Sequence, residues 1–338
     1  LYTKFGTFNV KLNLESNLGC KNSITRPVVV LPIPTSKFAS AGACEDSLVA
    51  FTNTSTVPGN GGITYRWEFG DGDTSIIKQA AHAFEKDTTF RVKLYASAQG
   101  CTDSSFKNVT IYPNPVPRFV FANNCPNEQV KFTDSSAINS GTITYSYNFG
   151  NSITSAQKNP SISYASSGNY TVSLALTSDK NCKATFKDTV IIHPKPTAGF
   201  TTANTCSLDS ASFTNSTIIS SGAFSSFWSF GDGDTLTATA PKHVYIGSGA
   251  FKAKLRVVSD SGCADSVTKT INVYPNPSAA FSVPRFCEGD QGSFTNSSSI
   301  VSGTLGYRWY FGNGDTSVVS SPSTIYATAG TPNVLLVV

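Results

Sequence analysis

The chain has 338 residues, of which 14% are charged, with a formal net charge of +4. Ordinary globular proteins carry roughly 25% charged residues; here Ser, Thr, Asn and Gly take up the difference, which suits strands with polar, uncharged outer faces. The mild charge without a Lys/Arg block leaves no nucleic-acid footprint, and no run of 18 apolar residues predicts a membrane span.

The chain opens in the middle of a unit that then returns every 81 residues. Cys20, Cys101, Cys182 and Cys263 keep that count, and so do Cys44, Cys125, Cys206 and Cys287. Pro32-Ile33-Pro34, Pro113-Asn114-Pro115, Pro194-Lys195-Pro196 and Pro275-Asn276-Pro277 punctuate it. A fixed period predicts an array of small domains. Leu1 to Leu14 corresponds to Ile325 to Val338, so both ends carry the same strand. With no Met anywhere, the chain reads as an excerpt of a longer array.

The first segment, 1–34, contributes a long strand with Phe8, Val10 and Leu12 on one face. The full unit 35–115 repeats that strand as Phe90, Val92 and Leu94, preceded by Tyr65, Trp67 and Phe69. The unit 116–196 shows the order of elements most plainly. Arg118 to Phe121 alternates as a first strand, and Gln129 to Thr133 as a second. Tyr145, Tyr147 and Phe149 alternate along a third, which stops at Gly150-Asn151. Ser161 to Tyr164 is a short strand, Tyr170/Val172/Leu174 a long one, and Val190/Ile192 the last before Pro194. The unit 197–277 and the segment 278–338 repeat the pattern through Trp228/Phe230 and Tyr307/Trp309/Phe311. Period-2 alternation, turns every 8–12 residues and no helical stretch predict an all-β sandwich, repeated in tandem. The three Trp sit among alternating inward partners and are expected in the core.

The segment Tyr65-Arg66-Trp67-Glu68-Phe69-Gly70-Asp71-Gly72-Asp73-Thr74 resembles the Tyr-x-Trp-x-Phe-Gly-Asp-Gly signature of PKD (polycystic kidney disease) domains. Ser226-Phe227-Trp228-Ser229-Phe230-Gly231-Asp232-Gly233 repeats it. Pro241-Lys242-His243-Val244-Tyr245 and Gly249 to Leu255 resemble the family's later segments, and the match recurs in every period. The resemblance implies immunoglobulin-like sandwiches. Its Cys-bearing tandem form is similar to repeats of large secreted or surface proteins of bacteria, gliding-motility adhesins among them. The expected domains are a partial one at 1–34 (last strands), complete ones at 35–115, 116–196 and 197–277, and a partial one at 278–338 lacking the last strand. The family pattern departs at Asn151-Ser152 and Asn313-Gly314. Pro332 falls where the long strand otherwise has an aromatic, which is unexpected in a central strand.

Candidate sites follow from this frame. Asp71, Asp232, Asn151 and Asn313 occupy one turn position. A calcium loop would want clustered carboxylates, but the 116–196 unit keeps no acid there. A turn in which Asp or Asn caps backbone N–H groups explains every version, so no metal and no cofactor is assigned. His82 and His243 are replaced by Ile162 and Thr324 in the other units, and no nucleophile–base–orienter set recurs; the chain is read as non-catalytic. Lys11, Arg91, Lys93, Lys252 and Lys254 alternate with core residues and face outward. A solvated face accounts for them, and contact with acidic polysaccharide is the alternative. Ser47, Thr189, Ser210, Thr235 and Ser266 follow Asp and precede an apolar residue, a candidate O-glycan acceptor pattern. Asn53, Asn108, Asn169, Asn215 and Asn296 begin N-linked sequons.

Eight cysteines at constant offsets predict disulfides in an oxidising compartment. Pairing within a unit, Cys44 with Cys101, is the simple reading. In a sandwich with strands of 8–9 residues those two positions fall at opposite poles, roughly 25–30 Å apart, whereas a disulfide needs Cα atoms within about 7 Å. The topology therefore favours Cys44–Cys182 and Cys125–Cys263, each crossing a junction between units, with the remaining cysteines pairing beyond the excerpt. Short Pro-x-Pro joints add stiffness. The expected function is a non-catalytic, extracellular or cell-surface stalk or filament supporting adhesion or gliding, with neighbouring repeats of a longer chain as its first partners and lateral self-association or surface polysaccharide as further ones. The alternative is an array of polysaccharide-binding modules acting by avidity.

Overall fold

Alternation of apolar and polar residues builds every long strand. Along Gly249–Ser259 the side chains of Ala253, Leu255 and Val257 are fully buried, while Lys252, Lys254 and Arg256 between them are exposed. This follows from the two-residue repeat of a strand, which sends successive side chains to opposite faces. The structure, a computed structural model, describes residues 1–338, the side chain of Asn60 excepted. Among the described residues it consists of strands and turns with one 3-10 turn, Pro58–Asn60, and no α-helix.

The chain packs into two compact units. The first holds Leu1–Ala122, Val130–Ile162 and Asn169–Val190; the second holds Asn123–Gln129, Ser163–Gly168 and Ile191–Val338. The 116–196 repeat thus contributes to both.

In the first unit, the strands Ala43–Cys44, Cys101–Tyr112, Thr89–Ala98, Thr64–Glu68 and Thr74–Ser75 form a five-stranded sheet in that order. Facing it are two short ladders, Phe38–Ala39 with Thr52–Asn53 and Leu48–Ala50 with Ala81–Ala83. Between the layers lie Val49, Phe51, Trp67, Phe69, Phe84, Val92 and Leu94. Trp67 is fully buried, with the Phe38 ring edge-on at 5.0 Å and Phe51 at 5.4 Å. Its indole N–H donates to the Ile77 carbonyl at 2.9 Å, so the buried donor is satisfied. The same unit contains the hairpin Gly6–Glu15 with Lys21–Val30. There Val10 and Leu12 are 43% and 55% exposed, although the matching Val92 and Leu94 are fully buried. The difference is a missing opposing sheet, not a different strand pattern.

In the second unit, Phe200–Thr202, Ser210–Asn215 and Lys242–Val244 form one sheet. Thr205–Cys206, Ala264–Tyr274, Gly249–Ser259, Phe224–Ser229 and Thr235–Thr237 form the other. Thr205–Cys206 runs parallel to the end of the last strand, pairing with Val273 and Tyr274. Trp228 is buried against Phe200 at 5.1 Å, and its N–H donates to the Ala238 carbonyl at 2.8 Å. All three tryptophans are therefore core residues, Trp309 included. Each sandwich has two sheets with Greek-key order, an immunoglobulin-like architecture.

The glycine after the third strand is a point of close approach. At Gly231, φ is +90° and an added Cβ would stand 2.7 Å from the Lys252 backbone nitrogen. Gly70 is similar, with 2.9 Å to the Arg91 carbonyl. The third strand ends because the chain turns over the long strand's backbone, and only glycine fits both the angle and the space.

Two features differ from the strand reading. A short edge strand follows every Phe-Gly turn, as at Thr74–Ser75 and Thr235–Thr237. In the last repeat the long strand is only Leu335–Val337, compared with the 11-residue Gly249–Ser259. Pro332 lies just outside it; the strand begins at Leu335, where pairing with the third strand begins, as it does at the matching Lys254, because the positions before Lys254 pair only with a last strand that this segment does not contain.

Candidate functional site

The cysteines define the sites between repeats. Cys44 lies on the two-residue strand that pairs with Tyr112, and not in a turn. Cys182 follows the hairpin turn after Ser178, whose hydroxyl accepts from the Cys182 N–H at 3.1 Å. The two are joined by a disulfide with Cα atoms 5.6 Å apart, across 138 residues. In the second unit Cys125 and Cys263 are joined in the same way, with Cα atoms 5.7 Å apart and the same separation. Cys182 and Cys263 are completely buried. Cys101, at the position of Cys182, and Cys206, at the position of Cys44, are free and half-buried, while free Cys20 and Cys287 are exposed.

The Pro-x-Pro joints beside these bonds are pinned. The Asn114 side-chain amide donates to the Glu45 carbonyl at 2.9 Å, and the Glu45 N–H donates to the Tyr112 carbonyl at 2.9 Å. In the second unit Asn276 donates to the Ser207 carbonyl at 2.5 Å, and the Ser207 N–H donates to the Tyr274 carbonyl at 2.8 Å. Pro113 and Pro115 are both buried. Each joint therefore lies against the segment that carries the cysteine, and its middle residue is held by hydrogen bonds that a free linker would give to water.

The Phe-Gly-Asp-Gly turn places its four capping residues as follows. Asp71 Oδ1 accepts from the Asp73 N–H at 3.1 Å, and Asp232 from the Asp234 N–H at 3.1 Å. Asn151 accepts from the Ile153 N–H at 3.2 Å and Asn313 from the Asp315 N–H at 3.0 Å. The alternation pattern did not reveal what the second carboxylate oxygen does. Asp71 Oδ2 meets His82 Nε2 at 2.5 Å, and Asp232 Oδ2 meets His243 Nε2 at 2.5 Å. Each imidazole lies flat on the Phe of the turn, at 4.2 Å from Phe69 and 4.1 Å from Phe230. The available signal was coupled identity within the chain: His is present where Asp is, and absent where Asn replaces it. In the last repeat Asn313 reaches Thr324 at 3.5 Å instead.

Burial works against the charged form of Asp71. The hydrogen bond from His82, the Asp73 N–H and the imidazole charge outweigh it and hold the carboxyl below its ordinary 3.8. Asp232 is held below 3.8 by the same balance, with His243 and Asp234 as partners. Burial, with Asp232 adding its charge, pushes the Tyr245 phenol up to about 12. Asp71, Asp73 and His82 bring three ligand atoms within 4.8 Å of one another, and Asp232, Asp234 and His243 do likewise. These are the residues that could hold a cation; in the geometry observed, the His–Asp bond closes the turn by itself.

Ser47, Thr189, Ser210, Thr235 and Ser266 are all exposed. They lie on different strands and turns and are not brought together.

A family model for the PKD domain matches residues 29–111, 113–192 and 193–274. The chain belongs to the PKD domain family. Among solved structures, the PKD1 domain of Vibrio anguillarum Epp is 32% identical over 24% of this chain and 94% of that domain, with a TM-score of 0.23. The three N-terminal domains of the bacteriophage RB49 Highly Immunogenic Outer Capsid protein are 8% identical over 72% of this chain and 99% of that one, with a TM-score of 0.35. The eight N-terminal immunoglobulin domains of Down Syndrome Cell Adhesion Molecule are 10% identical over 98% of this chain and 48% of that one, with a TM-score of 0.42. In each PKD repeat the Phe-Gly turn and the cysteines are different segments of the chain, so the residues that shape the sandwich and those that join repeats are separate sets.

Proposed function

We propose that this chain is a segment of a non-catalytic extracellular stalk or filament, built of tandem PKD repeats on a bacterial surface and serving adhesion or gliding. The observation that carries the reading is the disulfide offset. In both units a cysteine of one repeat is bound to a cysteine 138 residues on, in the following repeat, at the same two register positions. A bond within a repeat would protect that repeat alone. A bond between repeats carries load past the Pro-x-Pro joint and limits how far two sandwiches can separate, which suits a mechanical role. Two disulfides support an oxidising compartment. The family's domains are generally non-catalytic, which supports a non-catalytic reading.

Single-molecule stretching tests this. Under oxidising conditions each repeat enclosed by a disulfide should resist full extension, and reductant should lengthen the unfolded contour. Equal contour lengths with and without reductant would sink the reading. Electron microscopy of the oxidised chain should give particles of uniform length; freely jointed beads would also count against it.

A further inference from the structure

We propose that the outer face of the five-stranded sheet in the 197–277 repeat is a binding site for an acidic polysaccharide. It lies wholly within the second unit and goes beyond the stalk reading, which stands whether or not the site exists. Lys252, Lys254 and Arg256 occupy successive outward positions of the long strand, at intervals of about 6–7 Å set by strand geometry. Their neighbours across the ladder are Thr270, Thr268 and Ser266 on one side, and Ser229 and Phe227 on the other. No Asp or Glu occupies an outward position of these strands. Asp265 turns inward, where it accepts from the Ala198 N–H at 2.9 Å. Among the described residues none of the three cations has an ion-pair partner. They form an uncompensated row on a hydroxyl-rich surface.

The row has an aromatic beside it. Phe227 is 40% exposed, and the Arg256 guanidinium lies 5.9 Å from its ring centre. Phe227, Thr235, Thr237, Lys254 and Arg256 line an open groove of about 520 Å³. An exposed ring offers a flat apolar platform for the C–H face of a sugar. Flanking hydroxyls match sugar hydroxyls, and the cations match carboxylates spaced along a chain. A protein partner would want a larger apolar centre than one ring, and single-stranded nucleic acid would want several stacking aromatics.

The other repeats give the contrast. In 35–115 Lys252 and Lys254 are matched by Arg91, 3.9 Å over Phe106, and Lys93, 4.3 Å over Tyr95; Tyr95 stands in place of Arg256, and Phe227 is matched by Arg66, which pairs with Glu68. In 116–196 the long-strand positions are Thr171, Ser173 and Ala175, and Phe227 is matched by Ser146. The middle repeat therefore shows that the fold accepts a neutral face.

The test transfers that face. The full oxidised chain should bind an immobilised polyuronate at low salt, weaken as salt rises, and ignore neutral dextran. Substituting Lys252→Thr, Lys254→Ser and Arg256→Ala together should lower affinity at least about tenfold, with an unchanged melting temperature showing that the repeat is folded. Phe227→Ser should lower affinity by a few-fold at every salt concentration. Absence of wild-type binding at low salt, or a triple variant that binds as tightly as wild type, would overturn the proposal. So would single-stranded DNA bound at least as tightly as polyuronate with no effect of Phe227→Ser, since that would make the face a general polyanion contact.

Discussion

Asp71 and Asp232 each do two things with one carboxylate: one oxygen caps a turn N–H and the other holds a histidine. Asn313 shows that the cap survives loss of the charge. Asp71→Asn should therefore keep the turn and cost less than about 1 kcal/mol, whereas Asp71→Ala removes the acceptor as well and should cost about 1.5 kcal/mol. Urea unfolding midpoints of the two variants measure the difference. The pH dependence has a definite sign. Both aspartates titrate below 3.8 in the folded chain. A carboxyl with a depressed folded value contributes stability that is complete above the unfolded value and disappears as pH falls through the folded one. Thermal melts should show stability lost below about pH 4, and the Asp71→Asn, Asp232→Asn double variant should flatten that acid limb.

At the scale of the element, the long strand is the organising piece, because the third strand, the last strand and the Phe-Gly turn all lie against it. Gly231→Ala would force a Cβ to 2.7 Å from the Lys252 backbone nitrogen in a left-handed conformation. It should destabilise the repeat by about 2–3 kcal/mol, read as a fall in its melting temperature. Trp228→Ala removes a ring packed on Phe200 and Phe213 and should cost about 3–5 kcal/mol. The long strands were legible because alternation over ten residues is a strong signal. The edge strands at Thr74–Ser75 and Thr316–Ser317 were not, since a two-residue polar segment has no period to read. Pro332 was legible as a conflict, and it falls in the part of the long strand that pairs only with the last strand, which this segment does not contain.

At the scale of the molecule, the two disulfides join segments that the period places in different repeats. Each closes a loop of about 140 residues, for which chain entropy sets a ceiling of roughly 5 kcal/mol. Cys182→Ser should therefore lower the unfolding temperature and leave Cys44 open to alkylation in the native state. Peptide maps without reduction should contain Cys44 linked to Cys182 and Cys125 linked to Cys263; a Cys44–Cys101 peptide would contradict the geometry.

By itself the sequence determined the period, the strand pattern, the aromatic core and the family, because each is written in residues a few positions apart. The tertiary structure alone decided what lies against what. His82 meets Asp71 eleven residues away because the turn folds back over Phe69. Arg91 lies 3.9 Å over Phe106 and Arg256 5.9 Å from Phe227 because their ladder neighbours differ across the sheet. The cysteine register was visible in the sequence, and of the two pairings it allows, the poles of a sandwich favoured the one that crosses a junction. Which one forms depends on which ends of successive sandwiches meet, and a two-residue repeat carries no information over a separation of 138 residues.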